Sequence, residues 1–254
     1  MDDPEPSLKS PPRTLVFVPA WNEEDNLPAV LDELAEELGS ADVLIVDDGS
    51  TDRTAEVAQA RGALVEQFEE NRGLRAGIAA GYGYALSHGY DFCGRVDADG
   101  QHPVAEFRRL LQRVESGECD VAVGSRFAEG EGYESYRYEP SRARAFGIGV
   151  LRRAMKIRLG RSFADATSGM YAANAVALPL LAEPYESGAP EVESLILLTD
   201  AGLTVDEVPV NMRERASGES KLRGAKAVQL VFTVFATLVA AEGIRRVIAN
   251  RKKR

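Results

Sequence analysis

The chain has 254 residues, of which 44% are hydrophobic and 28% charged, so it is long enough for one large domain or two small ones of a soluble protein. A formal net charge of −10 argues against nucleic acid as a general partner, because phosphate backbones require a basic face. The two cysteines, Cys93 and Cys119, fit buried thiols in a reducing compartment better than a disulfide framework.

In the first half of the chain, short apolar runs alternate with helical patterns. Strands are predicted at 14–18, 42–46, 63–68, 91–96 and 120–124, and helices at 26–39, after Ser50 or Thr51, at 74–88 and at 104–115. This alternation predicts βαβ units, and therefore an α/β fold with a mostly parallel sheet flanked by helices. Right-handed crossovers place the carboxyl ends of the strands along one edge, where ligands bind.

The second half is less regular. The pattern predicts a polar loop at 127–140, a helix with several arginines, a strand at 204–212 and a flexible basic loop at 213–224. The sequence shows neither an internal repeat nor a clean linker. We therefore expect one domain over 14–222, preceded by a disordered lead-in (1–13) and followed by a helical extension (223–254).

The two ends of the chain differ in character. Residues 1–13 are acidic and proline-rich without an apolar core, which is not typical of a signal peptide. Residues 227–241 carry no charge, but crossing a bilayer takes about 20 apolar residues. Polar residues share one stripe of this predicted amphipathic helix, and a basic tail follows. The pattern favours docking on an anionic membrane surface, the alternative being a core or dimer-interface helix.

The first, second and fourth predicted strands end in acidic residues, which a parallel sheet brings to one edge. A single acid there can cap the next helix, but capping does not explain Asp97 and Asp99 together. Side chains two apart in an extended segment point the same way, about 6–7 Å apart. Two such carboxylates repel each other unless a cation lies near. Their oxygens suit Mg²⁺ or Mn²⁺, and Mg²⁺ takes substrate phosphates as further ligands.

Other motifs are weaker. An EF-hand counted from Asp97 needs Gly at position 6 and Glu at position 12, where this chain has His102 and Arg108. Two histidines and two distant cysteines make no zinc site, and His102 is expected to be structural. The segment GYGYAL (81–86) lacks the third glycine of a dinucleotide fingerprint and is predicted to pack small residues against the sheet.

Six segments occur in order along the chain: VPAWNEEDNL (18–27), IVDDGSTDRT (45–54), VDADGQHP (96–103), VGSRF (123–127), DATSGM (165–170) and EVPVNMRERASGESKL (207–222). Together they resemble the family-2 glycosyltransferases of the GT-A fold, over about residues 14–226. More narrowly, the set is similar to the dolichol-phosphate mannose synthase branch. That branch transfers a sugar from a nucleotide sugar to a polyprenyl phosphate.

The resemblance implies which residues face the nucleotide. Pro19, Trp21 and Glu23 would border it, with Trp21 where the family usually has Tyr. Val46 and Asp48 would hold the base and ribose.

The resemblance also implies a metal and diphosphate site. Asp97, Asp99 and Gln101 would hold Mg²⁺ or Mn²⁺, with Ala98 beside the diphosphate. Arg126 would meet phosphate. A divalent cation is needed because carboxylates cannot hold a diphosphate directly.

Further cations are implied on the acceptor side. Arg215 and Lys221 would close a loop over the diphosphate and the acceptor phosphate, where positive charge assists the leaving group. Arg142 or Arg144 would add an acceptor contact. One departure from the family is Arg75, which stands in a stretch that is usually rich in glycine.

The acceptor determines whether a base is needed. A sugar hydroxyl requires a carboxylate to take its proton, whereas a phosphate monoester is already an anion. Hydroxyl-acceptor members often carry a Glu-Asp pair on a late helix, and processive synthases a Gln-x-x-Arg-Trp motif; this chain shows neither. Asp165 is a spare candidate base, and its other reading is a residue that orients the loop or the acceptor pocket.

The sequence therefore predicts inverting, metal-dependent transfer of a hexose from a UDP- or GDP-sugar to a polyprenyl phosphate. The enzyme is expected at the cytoplasmic face of a membrane, with a separate membrane partner left open. One alternative is transfer to a saccharide or protein hydroxyl with Asp165 as base. Another is a non-catalytic nucleotide-sugar binding protein. Nucleotidyltransferases share the layout, but have a Gly-rich loop where this chain has PAWNEE.

Overall fold

The computed structural model describes residues 11–130 and 142–213. The strands are β1 (Thr14–Ala20), β2 (Asp42–Asp47), β3 (Leu64–Gln67), β4 (Phe92–Arg95), β5 (Val121–Ser125), β6 (Tyr171–Asn174) and β7 (Val205–Pro209). The helices are α1 (Leu27–Glu37), α2 (Thr54–Ala60), α3 (Leu74–Ser87), α4 (Val104–Glu115), α5 (Arg142–Leu159), α6 (Leu178–Leu181) and α7 (Pro190–Asp200).

The seven strands form one sheet in the order β3-β2-β1-β4-β6-β5-β7. All neighbouring pairs are parallel except those of β6, which runs antiparallel to both β4 and β5. The α/β fold with a mostly parallel sheet is therefore confirmed. Because β1, β2, β4 and β5 are parallel, their carboxyl ends lie along one edge, as predicted.

The predicted elements of the first half agree with the structure, most closely at α4, whose bounds match. The sequence analysis did not predict β6. This strand has four residues, three of them buried, with the sequence YAAN. Buried on both faces and rich in alanine, it shows neither the alternation nor the β-branched residues that mark a strand.

The core lies on both faces of the sheet because β1 is buried from Leu15 to Val18. Leu15 and Phe17 pack with α3 and α7, and Val16 and Val18 pack with α1 and α4. The ring of Phe17 contacts Tyr82 of α3 edge to face, with centroids 4.8 Å apart. Burial of both faces explains why these strands are continuous apolar runs.

Glycines allow close approach of two helices to the sheet. A Cβ on Gly81 would overlap the ring of Phe17, and a Cβ on Gly94 would overlap the ring of Phe107. The prediction that GYGYAL packs small residues against the sheet is confirmed.

Strand β7 forms one edge of the sheet, and two of its carbonyl groups are occupied by arginines. Arg161 donates to the carbonyl of Val205 at 2.6 Å. Arg109 donates to the carbonyl of Pro209 at 3.0 Å, and proline itself has no N–H.

The predicted C-terminal helix and basic tail, the boundary at 222, and residues 1–10 of the lead-in lie outside the described residues. Among the helices of 11–130 and 142–213, none has the length and apolar character required to cross a bilayer.

Candidate active site

The loops that follow β1 and β2 are bonded to each other. Asn22, at φ 54°, receives a hydrogen bond from the N–H of Thr51 at 2.8 Å and donates its own N–H to Ser50 at 2.9 Å. The N–H of Glu23 donates to the hydroxyl of Thr54 at 2.9 Å. These hydrogen bonds fix the two loops against each other at the carboxyl edge of the sheet.

Asp48, predicted to contact the ribose region, holds the loop before α3. Its carboxylate accepts the N–H groups of Arg72 at 2.6 Å and Gly73 at 2.8 Å. Gly73 has φ 85°, a conformation that favours glycine. Asp48 is buried, so the structure places it beneath the loop that would face the nucleotide.

The predicted nucleotide wall is only partly accessible. Trp21 is 43% exposed and Pro19 is half-buried. The carboxylate of Glu23, also half-buried, accepts a hydrogen bond from Asn26 at 2.7 Å. Val46, which with Asp48 is predicted to hold the base and ribose region, has no exposed surface and belongs to the core cluster with α3, and its contact with the nucleotide stays a prediction.

The pair Asp97 and Asp99 lies directly after β4, on top of a buried arginine. The side chain of Arg95 is 4% exposed; its Nε donates to Asp97 at 3.1 Å and its Nη1 to Glu191 at 3.1 Å. Burial alone lowers the pKa of this guanidinium, but the facing carboxylates of Asp97 and Glu191 outweigh burial and raise it. Asp97 remains 33% exposed, so its carboxylate faces outward from an internal cation.

A tight turn orients the second aspartate. Asp99 accepts the N–H of Gln101 at 3.1 Å, and the carbonyl of Gln101 accepts the N–H of Arg213 at 3.0 Å. The last described residue of the chain therefore lies against this turn. Ala98 is 4% exposed, which leaves little surface for contact with a diphosphate.

His102 supports the turn from inside. It is buried, and its Nδ1 accepts the N–H of Asp97 at 3.1 Å. Its Nε2 lies 3.6 Å from the Asp97 carboxylate. Burial lowers the pKa of His102 despite that carboxylate, which keeps the ring neutral at pH 7. The prediction that His102 is structural is confirmed.

The carboxylates of Asp97 and Asp99 form a pair, and within 11–130 and 142–213 no three His, Cys, Asp or Glu side chains converge as a metal-binding group. Two oxygen donors on a half-buried turn fit a hard divalent cation that takes its remaining ligands from water and substrate phosphate. The chemistry of the donor set thus agrees with Mg²⁺ or Mn²⁺.

A second ion pair lies after β5. Arg126 binds Asp165 through two parallel bonds, Nε to Oδ2 at 2.6 Å and Nη2 to Oδ1 at 2.8 Å. The backbone N–H of Arg126 also donates to Asp165, and Thr167 donates to the same carboxylate. The Asp165 side chain is 1% exposed, whereas that of Arg126 is 30% exposed. Here the carboxylate is internal and the cation faces outward.

Arg75, which departs from the family pattern, binds backbone rather than an acid. Its Nη1 donates to the carbonyls of Tyr185, Glu186 and Ser187 at 3.1–3.3 Å. The same turn is held from the other side by Glu193, which accepts the N–H groups of Glu186 and Ser187. Arg75 and Glu193 therefore fix the loop before α7.

The structure assigns a place to some predicted residues only. Arg215 and Lys221 lie outside the described residues, as do the side chains of Arg142 and Arg144 in α5. Their predicted contacts with phosphate stay predictions.

Sequence reasoning missed the partners beneath the site. Arg95 and Glu191 were not predicted to pair, although a lone charge in the otherwise apolar run FCGRV signals that a buried counter-charge exists. Glu207 accepts the N–H groups of Ala164 and Asp165, at 2.8 and 2.9 Å. No sequence signal would have revealed the two Glu207 contacts, because they join segments more than 40 residues apart.

The mostly parallel sheet flanked by helices, with paired carboxylates at one strand edge, is the arrangement of the GT-A fold. Residues 15–176 match the model described as "Glycosyl transferase family 2", and the chain belongs to that family. It is a glycosyltransferase.

Relatives and solved structures agree with this assignment. The chain is 32% identical over 243 residues to an undecaprenyl-phosphate mannosyltransferase of Micrococcus luteus, covering 92% of this chain and 98% of the relative. It is 29% identical to a polyprenol monophosphomannose synthase of Mycolicibacterium smegmatis, covering 87% and 85%. These relatives confirm the resemblance to the polyprenyl-phosphate branch.

The fold is also that of a glucosyl-3-phosphoglycerate synthase of Mycobacterium tuberculosis, solved with Mn²⁺, UDP and glucosyl-3-phosphoglycerate. The TM-score is 0.63 at 24% identity, over 90% of this chain and 79% of that one. At this identity the likeness concerns the fold.

Proposed function

We propose that this enzyme transfers a hexose, with inversion and with a divalent cation, from a UDP- or GDP-sugar to a polyprenyl phosphate. The observation that carries the proposal is the placement of outward carboxylates, Asp97 and Asp99, on the strand edge that also presents the outward guanidinium of Arg126. The carboxylates suit a divalent cation that binds the diphosphate of the donor. The guanidinium suits the phosphate of the acceptor.

On the donor side, Asp97, Asp99 and Gln101 hold Mg²⁺ or Mn²⁺, which when bound offsets the diphosphate charge as the sugar–oxygen bond breaks. Trp21 and the loop fixed by Asp48 border the nucleoside. Arg95 orients the Asp97 carboxylate, and His102 holds the backbone N–H of Asp97, so the carboxylate is in place before the donor arrives.

On the acceptor side, Arg126 binds a phosphate, and Arg215 and Lys221 add positive charge over the reacting groups. Arg213, which precedes Arg215 by two residues in the sequence, donates its N–H to the carbonyl of Gln101. The acceptor oxygen attacks the anomeric carbon from the face opposite the leaving diphosphate.

A phosphate acceptor is favoured over a hydroxyl acceptor by the state of Asp165. Both of its oxygens bind the Arg126 guanidinium, so the carboxylate orients a cation rather than standing ready to take a proton. The names of the relatives from Micrococcus luteus and Mycolicibacterium smegmatis point the same way.

We also propose that the enzyme works at the cytoplasmic face of a membrane. Helix α5 carries six Arg or Lys residues and no Asp or Glu, in a chain with net charge −10. Arg152, Arg153 and Lys156 are exposed, and Ile157 is 78% exposed beside them. A basic surface with an apolar side chain suits anionic headgroups, and the uncharged run at 227–241 would add to it.

Co-sedimentation with vesicles tests the membrane proposal. Binding to phosphatidylglycerol vesicles should fall for Arg152→Glu with Arg153→Glu, and hold for the matched double reversal Arg53→Glu with Arg108→Glu. Equal binding by both double variants would remove α5 from the docking surface.

Transfer itself is tested with radiolabelled UDP- and GDP-sugars, a short polyprenyl phosphate, and Mn²⁺ or EDTA. Label should enter the lipid phase with Mn²⁺ and be lost with EDTA and in Asp99→Ala. The control is Asp91→Ala, which removes a carboxylate at the opposite end of β4, where Asp91 binds the N–H of Arg13. A wild type that hydrolyses or binds the donor without labelling lipid would overturn the acceptor assignment.

A further inference from the structure

Glu207 of β7 makes an unusual contact with the loop that carries Asp165. Its two carboxylate oxygens each accept one backbone N–H, Oε2 from Ala164 at 2.8 Å and Oε1 from Asp165 at 2.9 Å. A half-buried carboxylate thus binds two successive amides of a loop 42 residues earlier in the chain. Charge-assisted bonds of this kind are stronger than those between neutral groups.

Strands β5 and β7 link this contact to Arg126. Strand β7 pairs in parallel with β5, from Val121↔Val205 to Ser125↔Pro209, and Arg126 follows Ser125 directly. The backbone of Arg126 is therefore placed by β5. Its guanidinium is placed by Asp165, and the backbone of Asp165 is placed by Glu207 on the adjacent strand.

We infer that Glu207 is a positioning residue for the outward guanidinium of Arg126. The inference rests on the proposed function, in which Arg126 contacts a phosphate of the reacting groups. Glu207 does not touch substrate. It fixes the backbone of Asp165, and the two bonds between the Asp165 carboxylate and the Arg126 guanidinium pass that constraint to Arg126, whose side chain is 30% exposed.

Glu207→Gln is the matched substitution, because it keeps the shape of the side chain. One oxygen becomes an NH₂ group, which is a donor and faces a backbone N–H that is also a donor. One bond is lost and the loop must shift. A shift of about 1 Å at a site of this kind costs up to about a hundredfold in rate.

The control is Asp206→Asn on the same strand. Asp206 is 43% exposed and pairs with Arg113 at 2.8 Å, so this substitution removes one negative charge from β7 and leaves the loop contact intact. The two variants differ in which contact they break and not in net charge.

A first experiment follows the Nε–H of Arg126 and the amides of Ala164 and Asp165 by NMR hydrogen exchange, and it needs no substrate. All three should exchange slowly in the wild type and in Asp206→Asn, and at least about tenfold faster in Glu207→Gln, because each loses a bonded partner or its support. Slow exchange of Arg126 Nε–H in Glu207→Gln would overturn the inference.

A second experiment is a double-mutant cycle on transfer, with Arg126→Ala as the other substitution. Glu207→Gln should lower kcat about tenfold in the wild-type background, with KM for the donor unchanged, and have no further effect once Arg126 is absent. Equal effects in both backgrounds would show a general structural role and overturn the inference. Asp206→Asn should change neither rate.

The two experiments separate this inference from the proposed function. Suppose that the wild type transfers no sugar to lipid while the Arg126 Nε–H still exchanges faster in Glu207→Gln. The acceptor assignment then fails, and the positioning role of Glu207 stands. If the wild type transfers sugar to lipid and the Arg126 Nε–H still exchanges slowly in Glu207→Gln, the acceptor assignment stands and the positioning role of Glu207 fails.

Discussion

Two arginine–aspartate pairs on the same sheet edge have opposite arrangements. After β4, Arg95 is 4% exposed and its partner Asp97 is 33% exposed; after β5, Asp165 is 1% exposed and its partner Arg126 is 30% exposed. In each pair the internal member is bound by further groups, Arg95 by Glu191 and Asp165 by Thr167.

In each pair, the buried member determines which charge the surface presents. An internal charge is costly unless it is paired, so the outward partner cannot leave without loss of stability. One arrangement therefore holds a carboxylate toward solvent, and the other holds a guanidinium. Adjacent sites of opposite sign arise from the same two residue types.

The largest effect is expected for Arg95→Met, which removes the buried member of the first pair. It removes the cation that binds both Asp97 and Glu191, and loss of one partner from a buried pair costs about 3–5 kcal/mol. The free energy of unfolding from urea titration should fall by that amount.

The control for this change is Arg61→Met, which breaks an exposed pair with Asp32 and should cost less than about 1 kcal/mol. Similar losses for Arg95→Met and Arg61→Met would mean that burial does not set the strength of the first pair.

The second pair is broken by Asp165→Asn. The Arg126 guanidinium loses its counter-charge and one acceptor, so transfer should fall about ten- to a hundredfold while nucleotide binding by calorimetry holds. Complete loss of transfer with nucleotide binding intact is the outcome expected of a catalytic base, and it would favour a hydroxyl acceptor.

A smaller effect is expected at a carboxylate away from both pairs. Asp120 accepts the hydroxyl and N–H of Thr204 at 2.7 Å and the side-chain amide of Asn174 at 3.0 Å, which joins the starts of β5 and β7 to the end of β6. Asp120→Asn should lower the free energy of unfolding by about 1–2 kcal/mol and leave transfer unchanged.

The difference in the free energy of unfolding between the wild type and Asp120→Asn should shrink as pH falls. The hydrogen bond from Thr204 lowers the pKa of Asp120 below its usual range. The stabilisation is therefore present above about pH 4, where an unfolded-state aspartate is ionised, and is lost as pH falls through the lower folded-state pKa. Urea titrations at pH 7 and pH 3 should show wild type and Asp120→Asn converging in acid; a constant gap would contradict the assignment.

The smallest effect is expected for Arg75→Ala, which removes a cation that binds three backbone carbonyls. The free energy of unfolding should fall by about 1 kcal/mol, and amide exchange should rise at residues 184–189. Arg72→Ala, one turn away, is the control. Unchanged exchange at that loop would show that Glu193 holds it alone.

Much of the fold could be predicted because it follows from local patterns of apolar and polar residues. The runs at β1, β2 and β5 alternate with amphipathic helices, so βαβ units and the strand edge could be predicted. Strand β6 could not, because YAAN has no period and its pairing with β4 and β5 is decided by tertiary contact.

Prediction of the site was limited in a similar way. Asp97 and Asp99 stood out because two acids after a strand need an explanation, whereas the direction of a side chain on a doubly buried strand does not show in the sequence. The resemblance implies a place for Val46 at the nucleotide, whereas the structure shows its side chain in the core. The pairing of Arg126 with Asp165 depends on a separation of 39 residues, which no local pattern encodes.

The edge formed by β7 has a consequence for self-association. Arg161 and Arg109 occupy the carbonyls of Val205 and Pro209, and proline offers no donor. A second chain that approached this strand would find few backbone groups with which to extend the sheet. Growth of the sheet into fibrils or domain-swapped oligomers is disfavoured at this edge by backbone chemistry, independently of the negative net charge that keeps copies apart in solution.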